Sequence, residues 1–143
     1  MNYRQHIEQH SIALKDVPEQ YRTYELCTTA VQQNGFALQY VPEQHKTFEL
    51  CLAAVQRSGY AIQFVPEQHK TLELCKIAVS RFGWALQFVP EHLMTFELCS
   101  IAIRQYGGVI LHVPEHLKTF ELCIVVLLNT IDPLKHIPSR FKI

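Results

Sequence analysis

A dipeptide of Val or Ile followed by Pro recurs six times along this chain, and each copy lies 24 residues after the previous one. The copies begin at Val17, Val41, Val65, Val89, Val113 and Ile137. One cysteine per unit keeps the same period, at Cys27, Cys51, Cys75, Cys99 and Cys123. Self-similarity at a period of roughly 20 to 50 residues is typical of solenoids and other repeat arrays. We therefore expect stacked copies of one unit that bury a continuous core between them.

The repeat also sets the domain organisation. Two successive units, 23–46 and 47–70, are identical at 16 of 24 positions. We interpret 1–143 as a single repeat domain, with a degenerate N-terminal capping unit at 1–22, four full repeats at 23–118, and a C-terminal unit and tail at 119–143. A polar N-terminal unit fits a cap, because the outer face of a terminal repeat meets water.

Each unit is predicted to contain two helices. A Thr stands where an N-cap belongs, at Thr23, Thr47, Thr71, Thr95 and Thr119. A first helix of about three turns follows, and a glycine ends it at the C′ position, where a left-handed residue is common. These glycines are Gly35, Gly59, Gly83 and Gly107. A short second helix then runs to the Val-Pro step, where proline favours a new turn.

The predicted fold is an all-α, right-handed-type solenoid of two-helix, 24-residue repeats. The alternative is an α/β solenoid like a leucine-rich repeat, in which the segment before each Val-Pro step would be a strand. Alanine is depleted in strands, and the asparagine column of leucine-rich repeats is absent, so the all-α fold is favoured. The repeated Gln39, Gln63 and Gln87 either brace backbone groups or form a ligand-binding ladder, and Leu111 replaces the fourth copy.

The cysteines are predicted to be buried and reduced. Equivalent positions on stacked helices lie about 8–10 Å apart, whereas a disulfide requires Cα atoms within about 7 Å. The short C-x-x-C spacing typical of a structural zinc site does not occur. We therefore expect neither a metal nor another cofactor.

Composition narrows the class of protein. Thirteen Lys and Arg residues balance thirteen Asp and Glu residues, so we do not expect the basic surface by which proteins bind nucleic acid. The longest apolar run, at 123–128, is far shorter than the ~20 residues of a membrane helix. The N-terminus carries no apolar signal-peptide core. We expect a cytoplasmic protein, with secretion into a host cell without a cleaved signal as the alternative.

No catalytic constellation is predicted. The histidines repeat in register, at His45 and His69 and again at His92 and His116. A repeated environment places identical groups in a row, whereas an active site needs different groups aimed at one point. We therefore expect a protein that is not an enzyme.

Binding is predicted where the units differ, because in a solenoid the framework repeats while the working surface varies. Variable positions near the end of the first helix carry arginines and aromatic residues, the composition of an interface hot spot. The candidate binding residues are Phe36, Arg57, Tyr60, Arg81, Trp84 and Arg104. The competing interpretation is that Phe36, Tyr60 and Trp84 only pack between repeats.

The function hypothesis is a non-catalytic protein–protein interaction module with an unknown protein partner. One alternative is an RNA-binding repeat protein that stacks one base per unit. Another is a self-associating protein, because the last unit is the most apolar and could pair in a homodimer. Alternatively the tail, 134–143, folds back and covers that unit with Ile137, Phe141 and Ile143.

The unit resembles a known family. Its core reads Ala30-Val31, then Gly35-Phe36-Ala37-Leu38, and repeats as Ala54-Val55, then Gly59-Tyr60-Ala61-Ile62. This pattern resembles the helical repeats of the domain of unknown function 4116 family, although Val-Pro-Glu stands where that family often has Ala-Ser-Glu. The resemblance implies a bacterial helical-repeat protein of the effector or adaptor kind, and it brings no catalytic residues.

Overall fold

The structure, a computed structural model, describes residues 2–10, 13–129 and 135–142. These residues form α-helices and 3₁₀ helices and contain no strand. Six α-helices follow one another in the described chain: α1 (Tyr3–Glu8), α2 (Tyr24–Gln33), α3 (Phe48–Arg57), α4 (Leu72–Arg81), α5 (Phe96–Gln105) and α6 (Phe120–Asn129). Successive α-helices from α1 to α6 pack against each other. The predicted all-α repeat solenoid is confirmed, and the strand-containing alternative is wrong.

Each repeat has three helical parts. A ten-residue α-helix is followed by a six-residue 3₁₀ helix and, after the Val-Pro step, by one 3₁₀ turn. The six-residue 3₁₀ helices are Gly35–Tyr40, Gly59–Phe64, Gly83–Phe88 and Gly107–His112. The turns are Glu43–His45, Glu67–His69, Glu91–Leu93 and Glu115–Leu117. The predicted second helix is therefore present, in the tighter 3₁₀ form that short helical segments often adopt.

The predicted threonine caps are present at all five helix starts from α2 to α6. In α3, the Thr47 hydroxyl accepts a hydrogen bond from the Leu50 backbone N–H at 3.2 Å. The hydroxyls of Thr23, Thr71, Thr95 and Thr119 accept the equivalent bond. Each cap satisfies one of the backbone donors that a helix start leaves unpaired.

The core is a set of columns that run through the stack. In α3 the buried residues are Leu50, Cys51, Ala54 and Val55, and Ala61 and Ile62 of the next 3₁₀ helix close the layer. The equivalent residues of the neighbouring units are buried in the same way. All five cysteines are buried and free, as predicted.

The glycines serve a different purpose from the one predicted. None of the five glycines has a positive φ, so the left-handed C′ interpretation is wrong. A Cβ placed on Gly59 would lie 2.4 Å from the backbone oxygen of Ala78, and one on Gly35 would lie 2.4 Å from that of Ala54. At Gly35, Gly59 and Gly83 a glycine is therefore required by the close approach of the 3₁₀ helix to the α-helix of the following repeat.

Two cations at equivalent positions, Arg22 and Lys70, join successive repeats. Lys70 Nζ lies 2.7 Å from Glu67 Oε1 and donates to the Phe88 backbone oxygen in the next repeat at 3.2 Å. Arg22 makes the same kind of link to the Tyr40 oxygen at 2.9 Å. The Lys70 side chain is 9 % exposed, so most of its length is packed between the layers.

The two ends of the stack differ. In α1 only Ile7 is buried, and the polar residues around it face solvent. At the other end, Ile137 is buried and the Phe141 ring lies 6.4 Å from that of Phe120. The tail therefore folds back onto the last unit at these two residues, as expected, whereas Leu134 and Ile143 lie outside the described residues. No helix of the described residues is long and apolar enough to cross a membrane.

Candidate functional site

A groove of about 700 Å³ crosses three repeats on one side of the stack. It lies where the α-helices end and the six-residue 3₁₀ helices begin. Its lining residues are Phe36, Arg57, Ser58, Gly59, Tyr60, Arg81, Phe82, Trp84 and Gln87. The lining includes four aromatic side chains and two arginines, and it contains no carboxylate.

The repeat geometry positions these side chains. Arg57 and Arg81 are the last residues of α3 and α4. The residue that follows each arginine, Ser58 or Phe82, has an extended backbone, so the α-helix ends there. Tyr60 and Trp84 then occupy the second position of their 3₁₀ helices. Each repeat therefore presents its variable residues on the same rim, about one helix-packing distance from those of its neighbour.

The aromatic residues form a continuous row of ring contacts. The centroid of the Tyr60 ring lies 5.3 Å from that of Phe82 and 6.4 Å from that of Phe36. Phe82 continues to Tyr106 at 5.9 Å, and Trp84 lies 6.3 Å from Tyr106. Phe36 nevertheless remains 38 % exposed and Tyr106 44 % exposed. The rings therefore pack between repeats and also offer apolar surface to the groove.

The glutamine column braces this row. Gln39, Gln63 and Gln87 each donate through Nε2 to the backbone oxygen three residues earlier, at 3.1–3.2 Å. That oxygen belongs to Phe36, Tyr60 or Trp84, the aromatic residue of the same unit. Gln87 Nε2 also donates to the Tyr60 hydroxyl at 3.2 Å. The bracing interpretation of the glutamines is confirmed, and it fixes the backbone from which the aromatic side chains project.

The two arginines of the groove lack acidic partners. Arg57 Nε donates to the backbone oxygen of Gln33 in the preceding repeat at 3.3 Å. No ion pair joins Arg57 or Arg81 to a carboxylate of the described residues. Both arginines are exposed. Each guanidinium therefore has N–H donors available to a bound group.

The structure brings five of the six predicted binding residues together. Phe36, Arg57, Tyr60, Arg81 and Trp84 all line the groove. The sixth, Arg104, is exposed but does not line it. Arg104 occupies the position of Ser80, one residue before that of Arg57 and Arg81 in the unit. One residue corresponds to a rotation of about 100° around an α-helix, so Arg104 projects in a different direction from the two groove arginines.

Four lining residues were not among the predicted binding residues, and one of them, Gly59, was predicted only as the end of a helix. Ser58 and Phe82 belong to a variable column beside the arginines, so their variation between units was the available signal. Gln87 was predicted only as a member of the repeated glutamine column. Its contact with the Tyr60 hydroxyl joins two repeats, and nothing within a single unit indicates such a contact.

The remaining titratable groups do not converge. Within the described ranges, no group of three or more His, Cys, Asp or Glu residues could hold a metal ion. Burial raises the pKa of Cys51 and Cys75 to about 11, and a nearby lysine offsets only part of that rise. Such thiols are protonated at neutral pH and are poor nucleophiles.

Comparison with protein families gives three overlapping matches to one family, described as Domain of unknown function (DUF4116). The matches cover residues 23–70, 47–94 and 71–118, so each spans two of the 24-residue units. Neither the curated proteins nor the solved structures gave a match. Because the matches together span 23–118, well over half of the chain, this protein belongs to the DUF4116 family of helical repeats.

Proposed function

We propose that this protein is a non-catalytic interaction scaffold that binds a protein partner in the groove that crosses the first three full repeats. The single observation that supports the proposal most is the lining of that groove. Aromatic side chains and arginines without acidic partners lie together on a braced backbone. Tyr, Trp and Arg are the residues that most often dominate binding energy at protein interfaces.

The size of the groove fits this role. A volume of about 700 Å³ accepts a few side chains of a partner. The site is open and spans three repeats, so a chain can lie along it. A solenoid uses its surface in this way, because successive repeats place equivalent positions in a row.

The test is capture of a partner by the parent protein and by the triple variant Arg57→Ala/Arg81→Ala/Trp84→Ala. We expect the triple variant to lose the partner while its far-UV circular dichroism stays that of the parent. The matched control is Arg104→Ala, which removes an exposed arginine outside the groove. Capture of the same partner by the triple variant would show that this groove is not the interaction surface.

A second candidate function is self-association through the last unit. Leu127 and Leu128 of α6 are 43 % and 78 % exposed, whereas Ile103, the equivalent of Leu127 in α5, is fully buried. A homodimer that pairs the two α6 faces would cover this apolar surface. The test is molar mass by light scattering over a range of concentrations. A mass that rises toward the dimer for the parent but not for Leu127→Glu supports it, and a constant monomer mass contradicts it.

A further inference from the structure

We propose that the occupant of the groove is an acidic peptide segment of a partner protein, bound in the polyproline II conformation with two carboxylates about three residues apart. This inference rests on the proposed function, and it adds the chemistry of the partner. It follows from the charge of the lining, the spacing of the two arginines and the orientation of the aromatic rings.

The groove offers hydrogen-bond donors and positive charge. Arg57 and Arg81 bring two full charges, and no Asp or Glu lines the groove to neutralise them. The Tyr60 hydroxyl accepts from Gln87 and keeps its own hydrogen to donate. The Ser58 hydroxyl makes no capping bond to the 3₁₀ helix that follows it. A ligand that satisfies these four groups has to be rich in acceptors, and carboxylates match arginine with the strongest hydrogen bonds.

The spacing of the arginines sets the spacing of the carboxylates. Arg57 and Arg81 hold equivalent positions in adjacent repeats, which places them about 8–10 Å apart. A chain in the polyproline II conformation advances about 3.1 Å per residue with three residues per turn, so carboxylates three positions apart lie on one side of the chain at about this distance. Arg57 is already held in place by its bond to Gln33, which limits the side-chain entropy lost on binding.

The aromatic row favours apolar side chains between the two carboxylates. Tyr60 meets Phe82 and Phe88 edge to face, with centroids at 5.3 and 5.0 Å and interplanar angles of 71° and 87°. Rings held in this way by their neighbours offer a corrugated apolar surface rather than a row of open faces. Single-stranded nucleic acid stacks its bases on open ring faces and follows a continuous basic track. Two arginines in a chain of zero formal net charge do not supply such a track.

Peptide binding can be measured through the fluorescence of Trp84, because it is the single tryptophan of the chain and lines the groove. The protein is titrated with a short blocked peptide that has the core Glu-Leu-Leu-Glu. Matched peptides carry Lys-Leu-Leu-Lys or Gln-Leu-Leu-Gln, and an oligouridylate RNA of similar length is the nucleic-acid arm. The protein variants are Arg57→Glu/Arg81→Glu, with Arg104→Glu as the charge-matched control.

We expect saturable binding of the glutamate peptide. The affinity of the glutamine peptide should be lower by about tenfold or more. The double charge reversal should lose the glutamate peptide and gain the lysine peptide, and Arg104→Glu should behave as the parent does. If the double variant fails to fold, Arg81→Gln replaces it, because Arg81 makes no hydrogen bond in the described structure that the change would remove.

Three results would overturn the inference. They are equal affinity of the glutamine and glutamate peptides, tighter binding of the RNA than of the glutamate peptide, and no binding of any peptide. The first result, combined with loss of both peptides in Trp84→Ala, would remove the acidic preference and leave the groove as an interaction surface. Binding to this variant is measured by titration calorimetry, because it lacks the fluorescent reporter. The scaffold role itself is judged separately, by partner capture with the triple variant.

Discussion

The substitution Gly59→Ala tests how closely neighbouring repeats are packed. A Cβ at this position would lie 2.4 Å from the backbone oxygen of Ala78 and 3.1 Å from the Cβ of Arg81. Ordinary van der Waals contact begins near 3.4 Å, so Gly59→Ala has to move the 3₁₀ helix and α4 apart by about 1 Å. Neither neighbour is the flexible end of a side chain, and the layer cannot yield locally.

The cost follows from this geometry. Overpacking a well-packed site costs about 1–3 kcal/mol, and a clash with backbone lies at the upper end of that range. Replacing glycine by alanine also restricts the unfolded chain, which returns about 0.4–1 kcal/mol where the folded backbone tolerates alanine. We therefore expect Gly59→Ala to lower the free energy of unfolding by about 2 kcal/mol. This corresponds to a fall of about 1 M in the urea midpoint.

Gly108→Ala is the matched control. The nearest atoms to a Cβ on Gly108 lie at 3.6–3.8 Å, which is ordinary contact, and its φ is not positive. This variant should keep the parent's stability or gain up to about 1 kcal/mol. Both variants are measured by urea unfolding followed by far-UV circular dichroism, which reports on all the helices. A Gly59→Ala midpoint equal to that of Gly108→Ala would refute the close-approach explanation of the glycine column.

Two further predictions concern the framework. Thr71→Ala should lower the free energy of unfolding, measured by urea denaturation, by about 1 kcal/mol, because the Leu74 N–H loses its capping hydroxyl. Thr71→Ser retains a hydroxyl and should keep most of the parent's stability. The buried thiols should make stability fall between pH 9 and pH 11. The pKa of a thiol in the unfolded chain is near 9.0, whereas burial raises the pKa of Cys51 and Cys75 to about 11, so in this range the folded chain holds protons that the unfolded chain has released. Urea midpoints across this range should depend less on pH in Cys51→Ala/Cys75→Ala, and an unchanged dependence would contradict the argument.

The sequence predicted those features that a single unit determines. The threonine caps depend on a hydroxyl and a backbone N–H three residues later, so both partners lie in the same short segment. The cysteine column was predictable because a fixed period places identical small residues on stacked helices. The end of each α-helix was predicted to within one residue, since Asn34, Ser58 and their equivalents precede the glycine.

The features that were wrong or missed depend on two units at once. The purpose of Gly59 is set by Ala78 in the following repeat, and no pattern within one unit gives the distance between them. Arg104 was included with Arg57 and Arg81 as an exposed arginine of a variable column, although the 24-residue period places it one residue earlier in its unit, at the position of Ser80. That shift turns it away from the groove.

The groove ends where the copies depart from the pattern, and this links the repeat to its proposed role. In the fourth unit Gly108 stands at the position of Tyr60 and Trp84, and the Trp84 ring lies close to where a Cβ would project from it. Leu111, which is 66 % exposed, replaces the glutamine brace of that unit. In the first unit Gln33 stands in place of an arginine, and its backbone oxygen accepts from Arg57. The repeated columns therefore hold the layers together, while a few substitutions limit the groove to the first three full repeats. A binding site made in this way can change its ligand without change to the core, because none of Arg57, Arg81 and Trp84 belongs to the buried columns.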